Sequence, residues 1–133
     1  MPALPPPGRG TETVLVVEDE ERVRELVKEV LTKQGYTVLT AGDGTEGLEV
    51  SEHAAGIIDL LLADVVMPTM SGRELARNLT QNRPSMKVLY MSGYTDNAIM
   101  HKGVLETGTK FIQKPFTPDA IARIVREVLD EET

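Results

Sequence analysis

The sequence predicts an α/β fold in which a five-stranded parallel sheet carries helices on both faces. Three observations carry this. Five short apolar runs alternate with five helical segments between residues 13 and 130. The connections between them are short, as in a βαβ series. Two of the helical segments have apolar residues at i, i+3, i+4, i+7 and i+8, the stripe of a helix lying on a sheet.

Thr13-Val14-Leu15-Val16-Val17 is β-branched, apolar and too short for a helix, and Glu18-Asp19-Glu20 stops it. Val23, Leu26, Val27, Val30 and Leu31 form the first helical stripe, which Gly35 closes as a C-terminal cap. Residues 36–40 make the second strand. A short helix over 44–53 follows the Gly42-Asp43-Gly44 turn. The third strand runs from Ile57 to Ala63. The next helix covers 72–82, with Leu75, Ala76 and Leu79 inward, and closes before Pro84. Residues 86–91 form the fourth strand, 96–102 a weaker helix, and Phe111-Ile112-Gln113 a short fifth strand. The last helix opens at Thr117-Pro118, with proline in its first turn. Its stripe is Ile121, Ile124, Val125, Val128 and Leu129, better explained as core than as an interface, and oligomeric state stays open.

The 133 residues suffice for one domain and one core. MPALPPPGRG holds four of the eight prolines, so residues 1–11 read as a flexible tail or linker and 12–131 as the domain. The net charge is −7 with Lys and Arg scattered, which excludes a basic stripe for nucleic acid. No apolar run approaches the ~18 residues of a membrane span, so no membrane contact is expected and a cytoplasmic location is. With no cysteine there is no disulfide, thiol catalysis or thiolate metal site.

Right-handed crossovers bring the C-terminal ends of all parallel strands to one edge, where such sheets bind ligands. Glu18 and Asp19 end the first strand there, Asp64 the third, Ser92 the fourth and Lys114 the fifth. Each has a plain alternative: Asp19 as a helix N-cap, Asp64 as a turn former, Ser92 as part of a turn, Lys114 as solvated surface. All four would have to hold at once. Two carboxylates about 4 Å apart repel by roughly 4 kcal/mol at an effective dielectric near 20. Three around one point need compensation, from Lys114 and from a hard cation such as Mg²⁺, which takes carboxylate and phosphate oxygens. Asp64 then suits a nucleophile toward phosphorus, with Lys114 stabilising the transferring group.

VLVVEDE, DLLLADVVMPTMSG, VLYMSGY and FIQKPF stand in the order and at the separations of one family. The chain from about Glu12 to Asp130 resembles the receiver domain of two-component response regulators. The resemblance implies a doubly wound, flavodoxin-like sheet of order 2-1-3-4-5. It implies that Asp64 accepts a phosphoryl group from a phosphohistidine on a histidine kinase or histidine phosphotransfer domain. It implies Mg²⁺ (or Mn²⁺) held by Asp19, Asp64 and the backbone carbonyl of Val66, with Glu18 acting through a water. By the same resemblance Lys114 is expected to pair with Asp64 and then with the phosphate, Ser92 to hydrogen-bond the phosphate, Phe111 to turn inward with it, and the Lys114–Pro115 bond to be cis. Glu18 stands where Asp is frequent, and Phe111 where many members have Tyr.

YMSGYTDNA, GVLETG and KPFTPDAIARIVREVLD look most like receivers at the C-terminus of hybrid histidine kinases. The proline-rich start fits a linker after a kinase catalytic domain. The chain stops just after the last helix, so no DNA-binding output module is expected. A stand-alone single-domain regulator and a phosphorylation-silent pseudo-receiver are the alternatives. Beyond its own phosphotransfer and dephosphorylation no enzyme activity is expected. Val66 and Tyr94 flank the site without a group to orient water, so a long-lived phosphoryl-aspartate is expected. A dehalogenase-type phosphatase needs an Asp where Val66 stands. A flavodoxin phosphate loop would be repelled by Glu18-Asp19-Glu20-Glu21.

Overall fold

The computed structural model describes residues 10–93 and 110–131. Its elements are β1 (Thr13–Val17), α1 (Glu21–Lys33), β2 (Thr37–Ala41), α2 (Gly44–His53), β3 (Leu60–Asp64), α3 (Gly72–Asn82), β4 (Lys87–Ser92), β5 (Lys110–Gln113) and α4 (Pro118–Asp130). The strands pair in parallel in the order β2-β1-β3-β4-β5. The helix expected over 96–102, and Tyr94, lie outside the described residues.

Strand alternation divides the core into two layers. Val14, Val16, Leu60, Leu62, Leu89, Met91 and Ile112 face α1 and α4, meeting Val27, Leu31, Ile121, Val125 and Val128. Leu15, Val17, Leu61, Ala63 and Tyr90 face the other way, against Leu75, Ala76 and Leu79 of α3. β3 is central and buried at all five positions, which is why its sequence is a continuous apolar run rather than an alternating one.

Local chemistry sets the ends. Gly35, at φ 99°, completes a helix stop in which Tyr36 N–H donates to Leu31 O (3.2 Å) and Gly35 N–H to Thr32 O (3.0 Å). Tyr36 is thereby spent on the cap, and β2 starts one residue later than the sequence suggests. Asp43, Ser71 and Thr117 cap α2, α3 and α4 by accepting from the backbone N–H groups of Glu46, Glu74 and Ala120. β3 begins at Leu60, not Ile57: its register with β1 opens at the Val14–Leu60 pair, and Asp59, donating its N–H to Thr13 O at 2.9 Å, is the last residue before it that β1 reaches. Ile57 is left 75% exposed. The α1 stripe is also narrower than expected: Leu26 is 37% exposed.

Candidate functional site

Order 2-1-3-4-5 reverses direction between β1 and β3, and the loops leaving those two strands diverge over the sheet edge. Glu18 follows β1 and continues its ladder, donating its N–H to Ala41 O at 3.1 Å. Its side chain is fully buried and Oε1 accepts from Glu20 N–H at 3.0 Å. Asp64, the last residue of β3, is 5% exposed, and its Oδ1 accepts from Val66 N–H at 3.1 Å. Lys114 bridges the two acids. Its Nζ donates to Asp64 Oδ2 at 2.6 Å and lies 2.7 Å from Glu18 Oε2. The second contact is an ion pair off hydrogen-bond alignment, so Glu18 Oε2 keeps a lone pair without a directed donor.

The structure brings the three predicted acids together: carboxylate oxygens of Glu18, Asp19 and Asp64 lie within 4.8 Å of one another. Asp19 is exposed, and the N-cap of α1 is Glu20, without a side-chain cap bond. The capping role considered for Asp19 is therefore not taken. Glu18 also pairs directly with Lys114, a contact that the sequence reading did not include. Ser92 ends β4 fully buried, and its Oγ has no hydrogen-bond partner among the described residues. Lys114 N–H donates to Ser92 O at 2.7 Å, tying β5's end to β4's. The Lys114–Pro115 bond is cis. Val66 stands just past Asp64 with a 45% exposed side chain. Phe111 is 41% exposed, so its ring points outward rather than inward in this structure.

The loop after Asp64 is held close. A Cβ on Gly72 would sit 2.2 Å from Asp64 O, so only glycine lets α3 start there, and Gly72 N–H donates to Val65 O at 2.9 Å. Thr69 within that loop has φ 66°, a left-handed conformation that β-branched residues rarely adopt.

Burial pushes Glu18 up to about 7; the nearby charge of Asp64 adds to this, and the Lys114 contact opposes it. Burial pulls Lys114 down, but bonding to Asp64 and Glu18 outweighs it and leaves the ammonium above its ordinary value. One lysine against three clustered acids leaves excess negative charge. All-oxygen donors, two of them buried, fit a hard divalent cation rather than a soft one. Sequence reasoning placed these acids but missed Arg24, whose Nη1 donates to Glu18 O at 2.8 Å. A cation in the first turn of a helix, where the dipole disfavours it, was the available signal.

A doubly wound α/β protein with a lysine-bridged carboxylate centre at its topological switch point is thus defined. The chain belongs to the response regulator receiver domain family, whose model matches residues 14–126. Such domains are signalling modules of two-component systems. Sensor kinase CckA of Brucella abortus is 38% identical over 123 residues, covering 92% of this chain but only 13% of that kinase. Chemotaxis protein CheY of Thermotoga maritima is 29% identical and is covered over 95% of its length. The crystal structure of the receiver domain from hybrid histidine kinase CckA aligns with a TM-score of 0.73 at 35% identity, over 89% of this chain and 99% of that one.

Proposed function

We propose that Asp64 accepts a phosphoryl group from a phosphohistidine carried by a histidine kinase or histidine phosphotransfer domain. The observation that carries this reading is Lys114: just past the strand paired with Ser92, whose buried hydroxyl has no partner among the described residues, its ammonium contacts both buried acids, at 2.6 and 2.7 Å. A carboxylate oxygen of Asp64 attacks phosphorus, and the N–P bond breaks with its electron pair left on the imidazole. Lys114 then faces new phosphoryl oxygens, and Ser92 Oγ gains the acceptor it lacks. Asp19 and Asp64, with the Val66 carbonyl and Glu18 nearby, would hold Mg²⁺ or Mn²⁺, which supplies charge neutralisation for the transferring group.

The donor approaches over a groove of about 380 Å³ lined by Glu20, Val23, Leu26, Lys114, Pro115 and Phe116. It is largely apolar and includes the lysine that touches Asp64, so a helix presenting phosphohistidine fits it. Likeness to a sensor kinase and to a hybrid-kinase receiver supports placement within a hybrid histidine kinase, with residues 1–11 as the linker. Val66 offers no acid or amide to orient water, so the phosphoryl group is retained.

Intact mass after incubation with acetyl phosphate and Mg²⁺ tests the reading, beside an Asp64→Asn control. A gain of about 80 Da in the parent alone is expected. No gain with a phosphohistidine donor either would leave a silent interaction module. Decay of the adduct within seconds of donor removal would count against retention.

A further inference from the structure

Arg24 is half-buried in the first turn of α1, where a positive charge opposes the helix dipole, so its placement calls for a partner. The β1–β3 ladder ends at the Val17–Ala63 pair, which leaves the Glu18 carbonyl beyond the last strand pairing. Arg24 Nη1 donates to that carbonyl at 2.8 Å, a charge-assisted bond. The same guanidinium packs over the β2–α2 turn, Nη1 lying 3.4 Å from where a Gly42 Cβ would be. Arg24 therefore spans α1, the end of β1 and the turn after β2, and it does so at the peptide whose two flanking side chains are Glu18 and Asp19.

We propose that Arg24 is a positioning residue for the acidic centre: by fixing the Glu18–Asp19 peptide it sets two of the three carboxylates for a divalent cation. This rests on reading the cluster as a metal-assisted phosphoacceptor site. Arg24 bonds the Glu18 carbonyl, a backbone atom, and not a carboxylate of the cluster. Its direct Coulomb effect has the opposite sign: a nearby cation repels a metal ion, so removing Arg24 for charge alone would strengthen metal binding. A positioning role predicts weaker binding.

The test is Mn²⁺ titration of the full chain, followed by the electron paramagnetic resonance of free Mn²⁺, in the parent, Arg24→Met and Arg24→Lys. Arg24→Met keeps the packing over Gly42 without the donor and is expected to bind Mn²⁺ about 10-fold more weakly. Arg24→Lys restores a charged donor and is expected near the parent value. In Arg24→Met, exchange of the Glu20 amide, which donates to Glu18 Oε1, is expected to quicken. If Arg24→Met loses the parent circular dichroism, Arg24→Gln replaces it, since the shorter side chain cannot reach Glu18 O; weaker Mn²⁺ binding is again expected. A folded donorless variant that binds Mn²⁺ as tightly as the parent, or more tightly, overturns the proposal alone. A parent chain that binds no Mn²⁺ overturns the metal-site reading and this proposal with it.

Discussion

Ser92 has a hydroxyl on a fully buried side chain that finds no hydrogen-bond partner among the described residues. An unsatisfied buried polar group costs stability, so the residue is tolerated at the expense of the resting state. Ser92→Ala is therefore expected to stabilise the unphosphorylated chain by about 1 kcal/mol, read from urea unfolding midpoints. The same variant should reach a lower phosphorylated fraction in the mass assay. A destabilised Ser92→Ala would mean that the hydroxyl already has a partner. Asp64, Asp19, Ser92 and Lys114 were legible in the sequence because each stands at the end of an apolar run, and strand ends converge in a parallel sheet. The direct Glu18–Lys114 pair was not legible. It joins residues 96 positions apart and depends on one methylene of reach.

At the scale of elements, α3 is pressed against the end of β3 through Gly72. Gly72→Ala would place a methyl 2.2 Å from Asp64 O, and backbone cannot yield as a flexible side chain does. We expect a loss of about 2 kcal/mol in urea unfolding, typical of a forced overlap in packed structure. Phosphorylation should slow as well, because the shift moves Asp64 relative to Lys114. An unchanged rate would show that α3 can retreat without disturbing the site. Most elements could be read from periodicity, since helices and strands bury side chains at different spacings. Their boundaries depended on pairing instead. Ile57 is as apolar as Leu60, yet it lies outside β3 because β1 has nothing to pair it with. Phe111, on a four-residue strand beside buried Ile112, has its ring outward by the same alternation, the position from which an inward turn on phosphorylation would start.

Across the whole molecule, a second charged cluster lies at the sheet's opposite edge. Arg126 of α4 holds Glu12 with two bonds, Nη2 to Oε2 at 2.6 Å and Nη1 to Oε1 at 3.1 Å, and also bonds Asp130 and Tyr36. Bonding to Arg126 lowers Glu12 to about 2, against a modest opposing effect of burial. Because the folded value lies below the unfolded one, this contribution is complete above about 4.5 and lost as pH falls toward 2. Glu12→Gln is expected to cost about 1 kcal/mol at pH 7, held to that size by solvent screening of a partly exposed pair. The gap from the parent should close on acidification through that window. A constant gap would assign the loss to packing instead.

Both ends of the domain are fastened at that far edge. Gly10 N–H donates to Gln34 O, Glu12 is gripped by Arg126, and Lys87 Nζ donates to the carbonyls of Leu129 and Glu131. The described chain therefore begins and ends at the sheet edge opposite Asp64, a strand's length from it. The edge that carries Glu18, Asp64 and Lys114 is left clear of both of these fastenings, so a label attached at residue 10 or 131 starts on the side away from the carboxylates.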